Sequence, residues 1–510
     1  MNYRFDDLDP FAARRARLQA WRDLGVDPYP AITPPHEQIA TVRAQGNHLE
    51  IEGRHEGGSA VAGRIVAMRG QGALVFMDLE DVSGKLQLLF KKDILSEELF
   101  ERLQLLDTAD FLWAAGTLFV SRRGELTLEV HDWKILAKTL SPLPDAWKGL
   151  QDVEARQRQR YLDLLVNDGV RDRFLKRSKL IASLRSFMHE KGFIEVETPV
   201  LEHIPGGADA EPFITHHNAL DTDFYLRISL ELHLKRLVAG GFDRVFEIGK
   251  VFRNEGMSPQ HLQEFTEFEF YWAYADYTEQ MALVQEMFQR VVQDVYGTLQ
   301  IERGEHMLNF DGEWPRISYV EVVQQYAGIN ILDASDDELI QSLINHGVRT
   351  GGGDQQVGDA DAFRRLGRGR MIDLLYKKTT RPHLIQPQFL VDFPLEFSPL
   401  AKKKASDPRV TERFATLIAG FEVSNSYSEL NDPLDQRERF EQQEKLRLAG
   451  DPEAQRLDED FLRAMEHGMP PMTGFGAGID RLVAILSGSE SVRETVLFPT
   501  MRPSEKNGEN

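Results

Sequence analysis

Apolar residues recur at helical spacing over residues 11–24, and the run Asp27, Pro28, Tyr29, Pro30 halts the pattern. Residues 1–50 are therefore expected to form a helical arm. From residue 50 to about 137 the pattern shortens into brief strands at 59–69, 74–81, 84–90, 113–120 and 125–130, with a helix at 95–105 among them. Ser141, Pro142, Leu143 and Pro144 then break all periodicity and begin a linker over 142–155. A second domain, 156–504, opens with a long helical pattern at 172–191, a turn at Gly192 and a strand at 193–197 closed by Pro199. Residues 244–271 alternate with period two on either side of a turn-rich stretch at 256–263, which predicts a β-hairpin. A polar, helix-rich insertion is expected at 311–377. Its glycine-rich run from Arg349 reads as a mobile loop, since it lacks the lysine and the strand context of a phosphate cradle. Near the C-terminus a glycine-rich strand leads into a helix at about Ile479, and residues 505–510 read as a disordered tail.

Five short strands with one helix fit a small closed barrel of the oligonucleotide-binding type over 51–141. The chain is thus expected to be an α+β multidomain protein. Its 510 residues are too many for one ordinary core, and an apolar fraction of 42% suffices to build several. The absence of Cys excludes disulfides and thiolate metal sites and suits a reducing cytoplasm. No apolar run is long enough to span a bilayer, and the opening MNYRFDDLDPF lacks the apolar core of a signal peptide. A net charge of -21 speaks against a passive nucleic-acid coat but not against an RNA enzyme, because local basic patches decide binding. Arg156, Arg158 and Arg160 form one such patch and Lys402, Lys403 and Lys404 another. Both read first as solvated surface.

The hairpin, RVFEIGKVFRNEGMSPQHLQEFTEFEFY, brings Arg253, Glu255, His261, Phe265 and Glu269 into one strand–turn–strand unit. Such a unit can hold an arginine over an anionic reactant and an aromatic ring against a flat one. In GMPPMTGFGAGIDRLVAIL, the alternation of Gly474, Gly476 and Gly478 implies that a ligand or a neighbouring strand comes close to the backbone. It is neither a dinucleotide fingerprint nor a P-loop. His216 and His217 are adjacent on an expected strand, so they point to opposite faces and do not form a metal pair. In the barrel, Phe76 and Gln87 offer stacking and an edge-reading amide to single-stranded RNA. On the residues alone Phe76 reads first as core, and a barrel can equally be structural or bind protein or sugar.

FRNE with its loop and second strand resembles the second signature motif of class II aminoacyl-tRNA synthetases. The helix–glycine–strand–proline run at 172–199 resembles the first motif, and the glycine-rich strand followed by Arg481 resembles the third. The order barrel, linker, motif one, motif two, insertion, NSYSELND and motif three is similar to that of the bacterial lysyl-tRNA synthetases over nearly the whole chain. The block NSYSELNDP favours lysine over aspartate or asparagine, whose sites need a basic side-chain receptor. The resemblance implies a catalytic domain built on an antiparallel β-sheet flanked by helices, and a cytoplasmic homodimer formed through that domain. It further implies ATP, L-lysine and tRNA(Lys) as partners, Mg2+ as cofactor, and ATP-dependent formation of lysyl-adenylate with transfer to the 3' end of the tRNA.

Residue roles carry over from the same resemblance. Glu231 and the Gly207 backbone hold the lysine α-ammonium. Glu429 and Tyr271 hold the ε-ammonium with Glu269 close by, Tyr427 packs along the methylenes, and Arg253 and Asn425 address the carboxylate. Phe265 stacks on adenine, Arg481 meets its other face and the phosphates, and Glu255 and His261 complete the ATP contacts. Arg253 and Arg481 are the catalytic pair, and Glu422 is the metal ligand. In the barrel, Phe76, Gln87 and Glu125 read the anticodon. Two positions depart from the family pattern. Ala415 stands where a second metal-ligating glutamate is usual, which implies a weaker ion site, and Glu211 stands where arginine is usual. They leave open an alternative, a non-catalytic or weakly catalytic RNA-binding or regulatory relative.

Overall fold

The computed structural model describes residues 8–144, 149–208, 210–256, 258–349, 359–448 and 456–503. The expected tail at 505–510, the glycine-rich loop at 350–358, part of the linker (145–148) and the first seven residues lie outside the described residues. Two compact units, Met1–Gln151 and Asp152–Asn510, divide the chain.

In the first unit five strands close a barrel, β1 (Arg54–Gln71), β2 (Leu74–Asp81), β3 (Gly84–Lys91), β4 (Phe111–Val120) and β5 (Leu126–Ala137), in the order β1-β2-β3-β5-β4. β3 and β5 run parallel; the other pairs are antiparallel. Alternation sends Met77, Leu79, Leu86, Leu88 and Phe90 inward. The same core takes in Trp21, Ile39 and Val42 from the helices Pro10–Asp23 and Ile39–Gly46. Trp21 meets Trp133 edge-on, with centroids 6.0 Å apart. Residues 8–50 are therefore part of the barrel unit and not a separate arm. Helices this short are marginal alone in water, and burying their apolar stripe is what holds them. The helix expected at 95–105 is a short α-helix, Glu97–Glu101, continued by the 3-10 turn Arg102–Leu105.

The second unit is built on an eight-stranded sheet. Its order is Arg316–Ser318, Gln388–Val391, Arg413–Ile418, Phe421–Ser428, Met472–Gly478, Glu264–Ala273, Arg244–Phe252 and Ile194–Glu195. The centre is antiparallel, as expected, but the outermost pair at each edge is parallel. The strand expected at 193–197 shrinks to Ile194–Glu195, with one further bond from Val196 N to Phe246 O at 2.9 Å. The insertion also starts later than its composition implied. Arg316–Ser318 is an edge strand of the sheet, and the helices Tyr319–Ala327, Asp336–Asn345, Ala360–Leu366 and Arg368–Thr379 follow it.

Phe268, Phe270, Phe475 and Ala477 face one side of the sheet and pack in one core with the helices Val170–Glu190 and Tyr277–Tyr296. The intervening residues of the same strands face the other side, which is the side of the site. The arginine patch is solvated surface only at Arg158. Arg160 is buried, donates to the carbonyls of Arg493, Val496 and Leu497, and pairs with Asp163, to which Arg156 also binds. Arg158 pairs with Glu154 and donates to Arg502 O. These side chains pin the C-terminal segment. The lysine patch is paired as well, Lys402 with Asn431, Lys403 with Asp435 and Lys404 with Asp392.

Candidate active site

The site rests on three adjacent strands whose register sets its shape. Gly476 lies between Glu269 and Asn425, and Gly474 between Tyr271 and Tyr427. Directly opposed residues share a face, so each glycine leaves a bare stretch of floor between two functional side chains. The two glycines differ in what they spare. A Cβ on Gly474 would overlap Glu429 Oε1 and the Tyr271 ring, whereas one on Gly476 would meet Glu269 Cγ at an ordinary 3.6 Å and project over the floor. Above the floor is a cavity of ≈ 380 Å³, and every residue that the family resemblance assigned to lysine or ATP lines it. Gly207 lines it with φ +83 and its Cα against Glu231 and Ser229; a Cβ there would come within 2.9 Å of Glu231 Cβ.

At one end the wall is acidic. Glu269 accepts from Ser229 Oγ (2.9 Å), Leu230 N (3.0 Å) and Tyr271 Oη (2.9 Å). Burial, with Glu267 and Glu231 nearby, still holds its carboxyl well above the usual range. Glu231 accepts from Tyr427 Oη at 2.8 Å and pairs with Lys235. Glu429 lies 2.5 Å from Lys235 Nζ through Oε2 as an ion pair, and neither of its oxygens accepts a hydrogen bond from the described residues. Burial pushes the Glu429 carboxyl well up; Lys235 opposes this and Glu231 adds to it. Burial and the surrounding carboxylates likewise keep the Tyr271 and Tyr427 phenols protonated. The apolar faces of these two tyrosines complete a pocket suited to a cation on an aliphatic stem.

At the other end the wall is basic. Arg253 donates through Nε to Ile228 O (3.1 Å), lies 3.5 Å from Glu267 and stands over the Phe265 ring at 5.0 Å. One face of the ring that the resemblance gives to adenine is thus already backed by a guanidinium. Arg481 donates to the backbone carbonyl of Glu422 at 3.2 Å. Its own helix, Ile479–Leu486, is anchored by Asp480, which accepts from Thr266 N (2.7 Å) and pairs with Arg177 (2.7 Å). His261 bonds Ser258 Oγ at 2.8 Å, and burial followed by the charges of Arg481, Lys377 and Arg253 depresses its pKa. Glu255 lines the same end.

Glu422 is the one metal-ligand candidate brought here, and no group of three or more His, Cys, Asp or Glu among the described residues could hold an ion. Ala415 opposes Asn425 in the ladder but is only 1% exposed, in the buried cluster of Tyr319, Tyr376, Leu390 and Leu417. It therefore does not line the cavity. Magnesium is commonly held by one or two carboxylates plus substrate phosphates, so this donor set fits an ion that arrives with ATP, not one the protein retains alone. His216 Nδ1 lies 2.9 Å from Asp223, and His217 sits against the Phe224 ring at 5.5 Å, so the two are not a ligand pair. Glu211 does not line the cavity; its carbonyl accepts from Asn254 N at 2.7 Å, and its side chain is exposed.

In the barrel unit Phe76 is half-buried and lies outside the core cluster. It opposes Leu89, and Gln87 opposes Asp78 and Thr127 on that outer face. Gln87 Oε1 accepts from Thr127 Oγ1 at 3.0 Å, and Glu125 is exposed just before β5. The reading of Phe76 as a core residue gives way here, because its neighbours Met77 and Val75 take the inward direction of the strand.

Sequence reasoning missed four lining or supporting side chains. Ser229 and Glu267 are strand- and loop-borne polar residues with no motif of their own. Arg413 donates to Asn425 Oδ1 (2.8 Å) and Ser398 Oγ (2.9 Å). Lys235 follows Glu231 by one helical turn, a spacing that on most helices marks a surface pair. The apolar neighbours Leu234 and Val238 were the available sign that this turn is buried.

Comparison with known proteins places these features in context. The sequence model described as tRNA synthetases class II (D, K and N) matches residues 152–502, and that of an OB-fold nucleic acid binding domain matches residues 60–136. The chain is 46% identical over 501 residues to the lysine–tRNA ligase of Dehalococcoides mccartyi, covering 98% of each chain. It is 44% identical over 500 residues to that of Moorella thermoacetica, covering 98% of this chain and 99% of the other. With the lysine–tRNA ligase of a Thermoanaerobacter species it shares 43% over 491 residues, 96% of this chain and 95% of the other.

Proposed function

The chain belongs to the class II lysine–tRNA ligases, and from that premise we propose that the cavity is where L-lysine and ATP react. The enzyme activates L-lysine with ATP and transfers it to tRNA(Lys), through an OB-fold unit and a class II catalytic unit. A lysine carboxylate oxygen attacks the α-phosphorus of ATP, and pyrophosphate leaves. A terminal ribose hydroxyl of the tRNA then attacks the lysyl carbonyl, and AMP leaves. Neither step needs a protein nucleophile, so orientation and charge neutralisation supply the catalysis.

The observation that carries the substrate assignment is Glu429, a buried carboxylate neither of whose oxygens accepts a hydrogen bond from the described residues, with Oε1 beside the Tyr271 ring at the acidic end of the cavity. The ε-ammonium of lysine satisfies it. The α-ammonium meets Glu231 and the Gly207 backbone, with Tyr427 along the methylenes. The carboxylate then points toward Arg253 and Asn425. Arg253 and Arg481 neutralise the phosphates, Phe265 stacks on adenine, and Glu255 and His261 close the ATP end. Glu422 would hold the Mg2+ that accompanies ATP, which when bound offsets charge on the phosphate oxygens.

Phe76, Gln87 and Glu125 form the anticodon-reading face of the barrel. Homodimer formation through the catalytic unit is part of the same proposal, supported by the exposed apolar side chains Leu175, Ile194, Val200 and Leu201 in the first-motif segment. No helix among the described residues is long and apolar enough to cross a membrane. The cysteine-free composition supports a cytoplasmic location.

Charging of unfractionated tRNA with labelled amino acids tests the proposal. Lysine is expected to be incorporated, while aspartate and asparagine are not. Charging with either of the latter, or with none, contradicts the assignment.

A further inference from the structure

Lys235 is 1% exposed in the helix Glu231–Ala239, yet it carries a charge to the site. Its ammonium pairs with Glu231 of its own helix and lies 2.5 Å from Glu429 on the facing strand. The rings of Tyr427, Tyr271 and Phe461 surround it at 5.5, 6.0 and 6.0 Å. Both acids line the cavity, whereas Lys235 does not. The ammonium therefore sits behind the wall, hydrogen-bonded to Glu231 and in ion-pair contact with Glu429. A buried lysine ordinarily loses its proton. Here the two carboxylates outweigh burial, and its pKa is raised.

The arrangement has a consequence for the receptor. Four acids, Glu231, Glu267, Glu269 and Glu429, crowd one end of the cavity. Glu269 is fixed by three donors, and Glu267 faces Arg253. Glu231 has Tyr427 Oη besides Lys235, but Glu429 has Lys235 alone among the described residues. Burial and Glu231 hold the Glu429 carboxyl well above the usual range even with Lys235 opposing them, so loss of that ammonium would favour the neutral carboxyl further, and a neutral carboxyl is a poor partner for a substrate ammonium. The groups facing Glu429 are Glu231 and Lys235 from the helix, Tyr271 from the hairpin and Tyr427 from its own strand; Lys235 is the sole cation among them.

We propose that Lys235 is the positioning residue of the lysine receptor: a built-in ammonium that holds Glu231 and Glu429 from behind and aims Glu429 at the distal ammonium of lysine. This rests on the reading of the cavity as the lysine site. It assigns Lys235 no contact with substrate. Its action runs through the two acids, so it bears on the use of lysine and not on the use of ATP.

The test is lysine- and ATP-dependent pyrophosphate exchange by the full chain with Lys235→Met, across a range of pH. The expected result is a rise in KM for lysine of about tenfold or more with KM for ATP near the parent's. The acid limb of kcat/KM for lysine should also move to higher pH, because Glu429 now ionises later. Equal losses toward lysine and ATP with an unmoved pH profile would show a merely structural role and overturn the proposal, as would lysine kinetics like the parent's. If Lys235→Met does not fold, the charge-balanced pair Lys235→Met with Glu429→Gln is compared with Glu429→Gln alone. The two are expected to fold, and because Glu231 still depends on Lys235 the double variant should show a further rise in KM for lysine with KM for ATP near that of Glu429→Gln alone. A further loss that falls equally on lysine and ATP, or no further loss, overturns the proposal. The parent serves as the internal standard. If it shows no lysine-dependent exchange, the reading of the cavity fails; if it does and the variants do not behave as stated, only the role of Lys235 fails.

Discussion

In the proposed receptor Glu429 is the side chain set against the distal ammonium of lysine. Replacing it with Gln leaves the shape but removes the charge that a lysine ammonium needs. Lysine use should fall by about 2 kcal/mol or more in transition-state terms, with ATP binding little changed. Exchange kinetics with each substrate varied in turn read both effects, and unchanged lysine kinetics would remove Glu429 from the receptor. The two floor glycines give a second contrast. Gly474→Ala drives a methyl into Glu429 and Tyr271 and should lower both melting temperature and lysine use. Gly476→Ala meets only an ordinary contact, so it should melt near the parent and yet raise KM for lysine, because its methyl stands where substrate lies. A stable Gly476→Ala enzyme with parental lysine kinetics would mean that substrate does not cross that part of the floor. At this scale the sequence showed the residues that carry a motif, such as Arg253, Glu269 and Arg481. It hid Lys235 and Arg413, whose meaning depends on which acid or amide a distant strand brings to them.

The hairpin and the glycine-rich strand were legible as elements because a period of two is a local property, readable without knowing the partner strand. The parallel edges of the sheet were not, since Ile194–Glu195 and Arg316–Ser318 are too short to show a period and exist through their neighbours. The two first helices misled for a related reason: an apolar stripe shows that a helix packs, not against what. The barrel strands make their own predictions. Phe76→Ala should raise KM for tRNA, with a loss of about 1–3 kcal/mol if one base stacks there, while lysyl-adenylate formation and the barrel's circular dichroism stay as in the parent. Loss of the fold instead would return Phe76 to the core.

Glu129 on β5 is buried against Arg54 and Lys91. The Arg54 bond foremost, then Lys91, lower its pKa from 4.5 to about 2. A carboxyl depressed on folding contributes stability above its unfolded pKa and loses it as pH falls toward the folded one. The barrel should therefore weaken between those two values, and Glu129→Gln should flatten that part of an acid-unfolding curve. An unaltered curve would mean that the ion pairs are not what holds the strand in acid.

The whole molecule joins a nucleic-acid barrel to a sheet that carries one cavity with an acidic and a basic end. On the proposed assignment the acidic end, with Glu429 accepting no hydrogen bond from the described residues, selects the amino acid, and the basic end takes the phosphates. Ala415, buried under the insertion helices, shows that the second metal carboxylate of the family pattern is not supplied from that position here. Whether this cavity activates lysine and no other amino acid is read by ATP–pyrophosphate exchange measured with each standard amino acid in turn. Exchange that requires lysine and collapses in Glu429→Gln is the predicted result. Exchange supported equally by aspartate or asparagine, or by no amino acid at all, would contradict it.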